Sequence, residues 1–104
     1  MTREEIKEEL QKVKYYYENK KALERLFKNT DFLKELERLA KKYDELVEQA
    51  PTDSLKKVYE RFYHFSVTWQ ACADGLFYSL RHIERLHSEL IKYFITKLQG
   101  VQPT

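Results

Sequence analysis

Glycine and proline almost never interrupt this chain. Of its two glycines and two prolines, one of each falls within the last five residues, which leaves Pro51 and Gly75 as the only such breaks before them. A sheet protein of similar size needs several tight turns built from these residues, so the sequence predicts an all-α fold. Apolar residues make up 42% and aromatic residues 14%, enough for a core despite 35% charged residues. No window approaches the ~18 consecutive apolar residues of a bilayer span, so no membrane partner is expected. The charged start, Met1-Thr2-Arg3-Glu4-Glu5, lacks the apolar run of a signal peptide. A lone Cys72 cannot close an internal disulfide and suits a reducing compartment, so a cytoplasmic location is expected.

Periodicity divides the chain at Ala50-Pro51-Thr52-Asp53 into two regions, residues 1–50 and 51–104. From Thr2 to about Lys28, Ile6, Leu10, Val13 and Tyr17 recur at steps of four and three. Leu23, Leu26 and Phe27 continue that face after a slip, which describes a long amphipathic helix. Tyr15-Tyr16-Tyr17 points around most of such a helix, so the three rings are expected to pack rather than form one stacking platform for bases. Asn29-Thr30-Asp31 ends this segment and caps the next. Between Asp31 and Gln49, Phe32, Leu36, Leu39, Tyr43, Leu46 and Ala50 follow the spacing of a coiled-coil seam. The two segments are expected to fold back as an N-terminal helical hairpin. The seam is either the hairpin's own interface or an oligomerisation surface. For a homodimer, the candidate contacts are Leu36, Leu39 and Leu46, or a second stripe at Leu90, Phe94 and Leu98.

Beyond Pro51, Thr52 or Asp53 caps a third helix through about Tyr63, with Leu55, Val58, Tyr59 and Phe62 on its apolar face. His64-Phe65-Ser66 breaks it. Thr68 opens a short segment from Trp69 to Leu76, Phe77-Tyr78 makes a turn, and Ser79 caps a last helix to about Leu98, with a frayed tail from Gly100 to Thr104. This is the order of a helix-turn-helix, which needs a small residue where its two helices cross and polar side chains on the outward face of the second. Ala71 at the crossing puts Gly75 in the turn but buries Arg81 and Glu84. Ala73 there turns Leu76, Tyr78, Ile83 and Leu86 inward and leaves Arg81, His82, Glu84 and Arg85 outside. Burying two charges costs several kcal/mol each, against ~1 kcal/mol for an imperfect turn residue, so the Ala73 frame is preferred.

In that frame, Val58 to Phe94 resembles the helix-turn-helix of the fourth conserved region of bacterial sigma factors. More narrowly, it is similar to small phage regulators of the ArpU and RinA families. The resemblance rests on Tyr63 closing the leading helix, Thr68-Trp69 at the next helix start, Ala73 in the middle, Tyr78-Ser79 before the last helix, and Ile83-Glu84-Arg85-Leu86-His87 within it. The clustered tyrosines in Lys14-Tyr15-Tyr16-Tyr17-Glu18 also resemble these regulators. The turn position carries Phe77 where these families carry glycine. The resemblance implies a sequence-specific DNA-binding regulator of late genes in a phage or prophage.

Its partner would be double-stranded DNA, with the last helix in the major groove. Arg81 and Arg85, four residues apart, are suited to guanine O6 and N7. His82 is suited to a base or phosphate, and Glu84 to cytosine N4 or to orienting an arginine. Ser79, Leu80 and Ser88 lie in the same turns. Thr68 and Gln70 are candidates for phosphates at the preceding helix start, and Lys56, Lys57 and Arg61 for the flanking backbone. Net charge is only +2, and all of the excess comes from residues 51–104. That modest balance keeps two other readings open: a module that imitates a sigma region to bind RNA polymerase, and a small DNA-packaging subunit of the terminase kind. His82 and His87, five apart, do not share a face as metal ligands would, and no second cysteine is present. His87 is expected to pack or hydrogen-bond within the fold, and Cys72 to be a small buried thiol. No phosphate loop or nucleophile elbow occurs, so neither an enzyme, a cofactor nor a metal is expected.

Overall fold

A computed structural model describes residues 1–99, and the tail expected to fray, Gly100–Thr104, lies outside the described residues. The described residues are all-helical: α1 (Arg3–Leu26), α2 (Asp31–Glu48), α3 (Asp53–Tyr59) running into a π-helical turn (Glu60–His64), α4 (Trp69–Leu76) and α5 (Leu80–Gln99). No helix among them is long and apolar enough to cross a membrane.

Hydroxyl caps set the helix starts. The Oγ1 atoms of Thr2, Thr30, Thr52 and Thr68 accept the amides of Glu5, Leu33, Leu55 and Ala71, and Ser79 Oγ accepts that of His82. At α1 the Glu5 carboxylate also accepts the Thr2 amide, completing a capping box. Each cap satisfies an amide that the helix itself cannot, for about 1 kcal/mol.

Two departures from regular helix explain where the apolar spacing slips. In α1, Asn19 is non-helical (φ −121°, ψ 16°), and its side-chain amide donates to the Tyr15 carbonyl, taking an acceptor from the helical ladder. The helix kinks there, so the buried residues run Ile6, Leu10, Val13 and Tyr16, then resume at Leu23. Tyr17, expected on the seam, is half-buried, and Leu26 and Phe27 are exposed. The third helix does not run on to Tyr63 as a regular helix. From Glu60 it widens into the π-turn, whose Phe65 amide reaches back to the Glu60 carbonyl. Tyr59, Phe62 and Tyr63 are thereby all buried, while His64 turns toward α2.

One core draws on all five helices. Residues 1–50 share this core with the rest of the described residues: α1 packs on α2, on the π-turn and on α5. The seam on α2 is rotated from its expected position. Leu33, Leu36, Leu39, Ala40, Tyr43 and Val47 are buried, Phe32 is exposed, and Leu46 and Ala50 are half-buried. Such a stripe is wider than a two-helix seam because α2 is covered from both sides: Tyr43 stacks edge-on to Phe94 of α5, and the Tyr93 hydroxyl donates to the Leu46 carbonyl. The candidate dimer contacts are therefore reassigned. Leu36, Leu39, Leu90 and Phe94 are buried inside the protomer, and Leu46 and Leu98 pack half-buried against the same core.

The link between α4 and α5 is a Schellman turn. The Phe77 and Tyr78 amides donate to the Asp74 and Ala73 carbonyls, with Phe77 in the left-handed region at φ 60°. Its ring is 95% exposed and has no packing to lose. Left-handed geometry costs a side chain about 1–2 kcal/mol, against about 0.5–1 kcal/mol for the extra chain freedom of glycine. Phe77→Gly is thus expected to raise stability by about 0.5–1 kcal/mol, a few degrees in melting temperature for a chain of this size. A lower melting point would show that the ring is held by contacts the fold does not display.

Candidate nucleic-acid interface

Local packing fixes how the start of α5 is presented. Ala73 is buried where α4 meets α5, Ala71 is exposed, and Ile83 and Leu86 are buried on the inner face of α5. Leu76 and Tyr78 pack half-buried at the edge of the core. This is the burial pattern of the Ala73 frame. Gly75 has its own use: a Cβ there would meet Nη1 of Arg61 at 2.9 Å, so the half-buried Arg61 guanidinium lies across the α4 backbone. Arg61 is therefore less available to a partner than the sequence suggested.

On the outward side of α5, Ser79, Arg81, His82 and Arg85 line one shallow depression. His82 stands edge-on to Tyr78, ring centroids 4.5 Å apart, and Arg85 Nη2 lies 2.6 Å from His82 Nδ1. A guanidinium can only donate, so Nδ1 accepts and the ring proton sits on Nε2, available to an acceptor outside the protein. Arg81, Glu84 and Arg85 are exposed, and neither arginine has an ion-pair partner among the described residues. Leu80 is exposed beside them. Lys92, absent from the residues expected on this face, is exposed seven residues beyond Arg85 and so returns to the same side of the helix.

The remaining candidates are placed differently. Ser88 is not free on the outer face: its Oγ accepts from Arg3 Nη2 of α1 at 3.1 Å. The Thr68 hydroxyl is occupied as the cap of α4, and the Gln70 amide donates to Asp74 one turn on. Lys56 is half-buried and Lys57 exposed.

No family model, curated protein or solved structure matches the chain.

Two clusters lie around this surface: His87 packs and hydrogen-bonds within the fold as expected, whereas the one around Asp44 was not foreshadowed by the sequence. His87 sits under α1 among Phe62, Tyr63 and Trp69, and its Nε2 hydrogen-bonds the Tyr63 hydroxyl at 2.5 Å. Burial, then the charges of Lys7 and Arg3, push its pKa down to about 4. Asp44 of α2 accepts from Tyr17 of α1, from Tyr59 of α3 at 2.6 Å and from His64 of the π-turn at 2.8 Å. Burial alone would raise the Asp44 pKa. The hydrogen bonds from His64, Tyr17 and Tyr59 outweigh it and hold the carboxyl below its usual range. One carboxylate thus ties three elements together, and the π-turn is what swings His64 within reach. Cys72 is fully buried, which pushes its thiol pKa up against the opposing charge of Arg61.

Proposed function

We propose that this protein is a DNA-binding transcriptional regulator whose α4–turn–α5 unit works as a helix-turn-helix, with α5 in the major groove. One observation carries the reading: Arg81, His82 and Arg85 are gathered on the outer side, without an ion-pair partner among the described residues, on the first turns of a helix set by the buried Ala73 crossing and the Ser79 cap. A bidentate arginine discriminates its guanine by about 1–3 kcal/mol. The resemblance to sigma region four and to ArpU and RinA regulators agrees with this placement, and late-gene control in a phage or prophage is the role it implies. With Leu36, Leu39, Leu90 and Phe94 inside the protomer, a dimer would need a surface other than those residues.

Selection of sites from a random duplex library is the direct test. Native protein is expected to enrich a motif, and Arg81→Ala with Arg85→Ala to lose that enrichment, with affinity for the selected site falling about ten- to hundredfold per arginine. Failure to enrich any sequence at low salt would remove the reading.

A second reading is favoured by the exposed Phe77 and Leu80 at the turn. Apolar side chains at that tip suit a protein surface, such as RNA polymerase engaged by a sigma mimic, better than a phosphate backbone. Binding to polymerase with little dependence on salt, and none to duplex, would select it.

A further inference from the structure

We propose that α1, one half of the N-terminal hairpin, is also a flank of the DNA-binding surface. In this proposal Arg3, Lys7 and Lys14 form a cationic row that holds phosphates of the strand bordering the groove entered by α5. The inference rests on the reading of α5 as the helix in that groove.

Positions 3, 7 and 14 are separated by four and seven residues and so share one side of a helix. Their surroundings show which side it is. Arg3 reaches Ser88 on α5, the charges of Arg3 and Lys7 act on His87, and Lys14 borders the cleft formed with Thr68, Trp69 and His87 where α4 begins. The row therefore runs beside α5 and up to the start of α4. Arg81, Arg85 and Lys92 repeat the spacing of four and seven on the outward side of α5, so each of these two packed helices carries a row of cations.

The dimensions suit a duplex. Packed helices lie about 8–10 Å apart, and the major groove is about 12 Å wide. A row one helix away from the groove-filling helix falls against the bordering phosphates. From Arg3 to Lys14 the helix rises about 16 Å, several times the roughly 3.4 Å between successive phosphates along the axis. Exposed carboxylates border both rows, Glu4, Glu8 and Glu18 on α1 and Glu84 and Glu89 on α5, but of these only Glu18 comes within ion-pair distance of a row cation, 3.9 Å from Lys14. Lys7 has no carboxylate within ion-pair distance among the described residues. A row in which Arg3 and Lys7 hold no ion pair among the described residues, beside the arginines of α5, is complementary to a phosphate strand.

The test compares native protein, the double variant Lys7→Gln, Lys14→Gln and the double variant Arg81→Ala, Arg85→Ala for binding to a labelled mixed-sequence duplex between about 50 and 200 mM salt. Lys7 is exposed and Lys14 holds only a surface pair, so the glutamine variant should melt with the native protein. It is expected to bind about tenfold more weakly and to shrink the slope of log affinity against log salt by about 1.8, or about 0.9 for each phosphate that is no longer neutralised. A native affinity and slope in the glutamine variant, with the arginine variant still impaired, would overturn this role for α1 and leave that of α5 standing. Absence of duplex binding by the native protein even at about 50 mM salt would overturn both.

Discussion

Phe94→Ala is expected to cost about 3–5 kcal/mol and to leave the protein largely unfolded near its working temperature, at every protein concentration. Phe94 is fully buried on α5, edge-on to Tyr43 of α2 at 4.9 Å and to Tyr59 of α3 at 6.0 Å, with Tyr93 beside it. Its removal leaves a cavity where three helices meet, in a domain whose whole stability is of order 5–15 kcal/mol. A residue acting as a dimer contact would behave differently. The variant would keep a native melting curve as a monomer and forfeit only a concentration-dependent increment. Urea unfolding at two concentrations about a hundredfold apart separates the two. A native midpoint in the dilute sample would return Phe94 to an interface between copies.

The same residue shows what the sequence could and could not reveal. That Leu90, Phe94 and Leu98 form a stripe follows from their spacing; what covers the stripe does not, because α5 packs on α1 and α3 and Phe94 meets Tyr43 of α2 and Tyr59 of α3, all distant in sequence. The helix starts were legible since a cap is a local matter: a hydroxyl followed by the amide three residues on, as at Thr52, Thr68 and Ser79. The burial of Ala73, Ile83 and Leu86 was legible because the alternative would have buried two charges. The slip in α1 was visible in the spacing, but its cause, the Asn19 side chain taking the Tyr15 carbonyl, was not. Still less legible was the π-turn, since the sequence from Asp53 to Tyr63 is compatible with a plain helix. The turn is stabilised by what it brings together, namely three buried aromatic residues and the His64–Asp44 hydrogen bond. At the candidate interface the arginines followed from helical periodicity alone. Ser88 and the cations of α1 depended on how residues more than eighty positions apart meet.

Acidification is expected to destabilise the fold through His87 well before the carboxylates titrate. In the folded protein this imidazole, buried against Phe62, Tyr63 and Trp69 and facing the charges of Lys7 and Arg3, has its pKa lowered to about 4 from an ordinary 6.5. The unfolded chain therefore takes up the proton first as the pH falls. The contribution of neutral His87 is intact above about pH 6.5 and shrinks by about 1.4 kcal/mol per pH unit below it, until the folded form also protonates near pH 4. About 3 kcal/mol disappears across that window. Asp44 acts in the same direction but lower on the scale: its folded pKa lies below the usual carboxylate range, so its contribution fades only as the pH falls through that range. The two are separated by exchanging His87 and its partner together. His87→Phe with Tyr63→Phe leaves no buried hydroxyl unpaired, and its urea midpoint should change little between about pH 7 and 4.5 while that of the native protein drops steeply. Parallel decline of the two proteins would place the acid sensitivity elsewhere. The same lysine and arginine that burden His87 are those assigned to the phosphates, so bound duplex, by screening them, should raise the His87 pKa and soften the native decline.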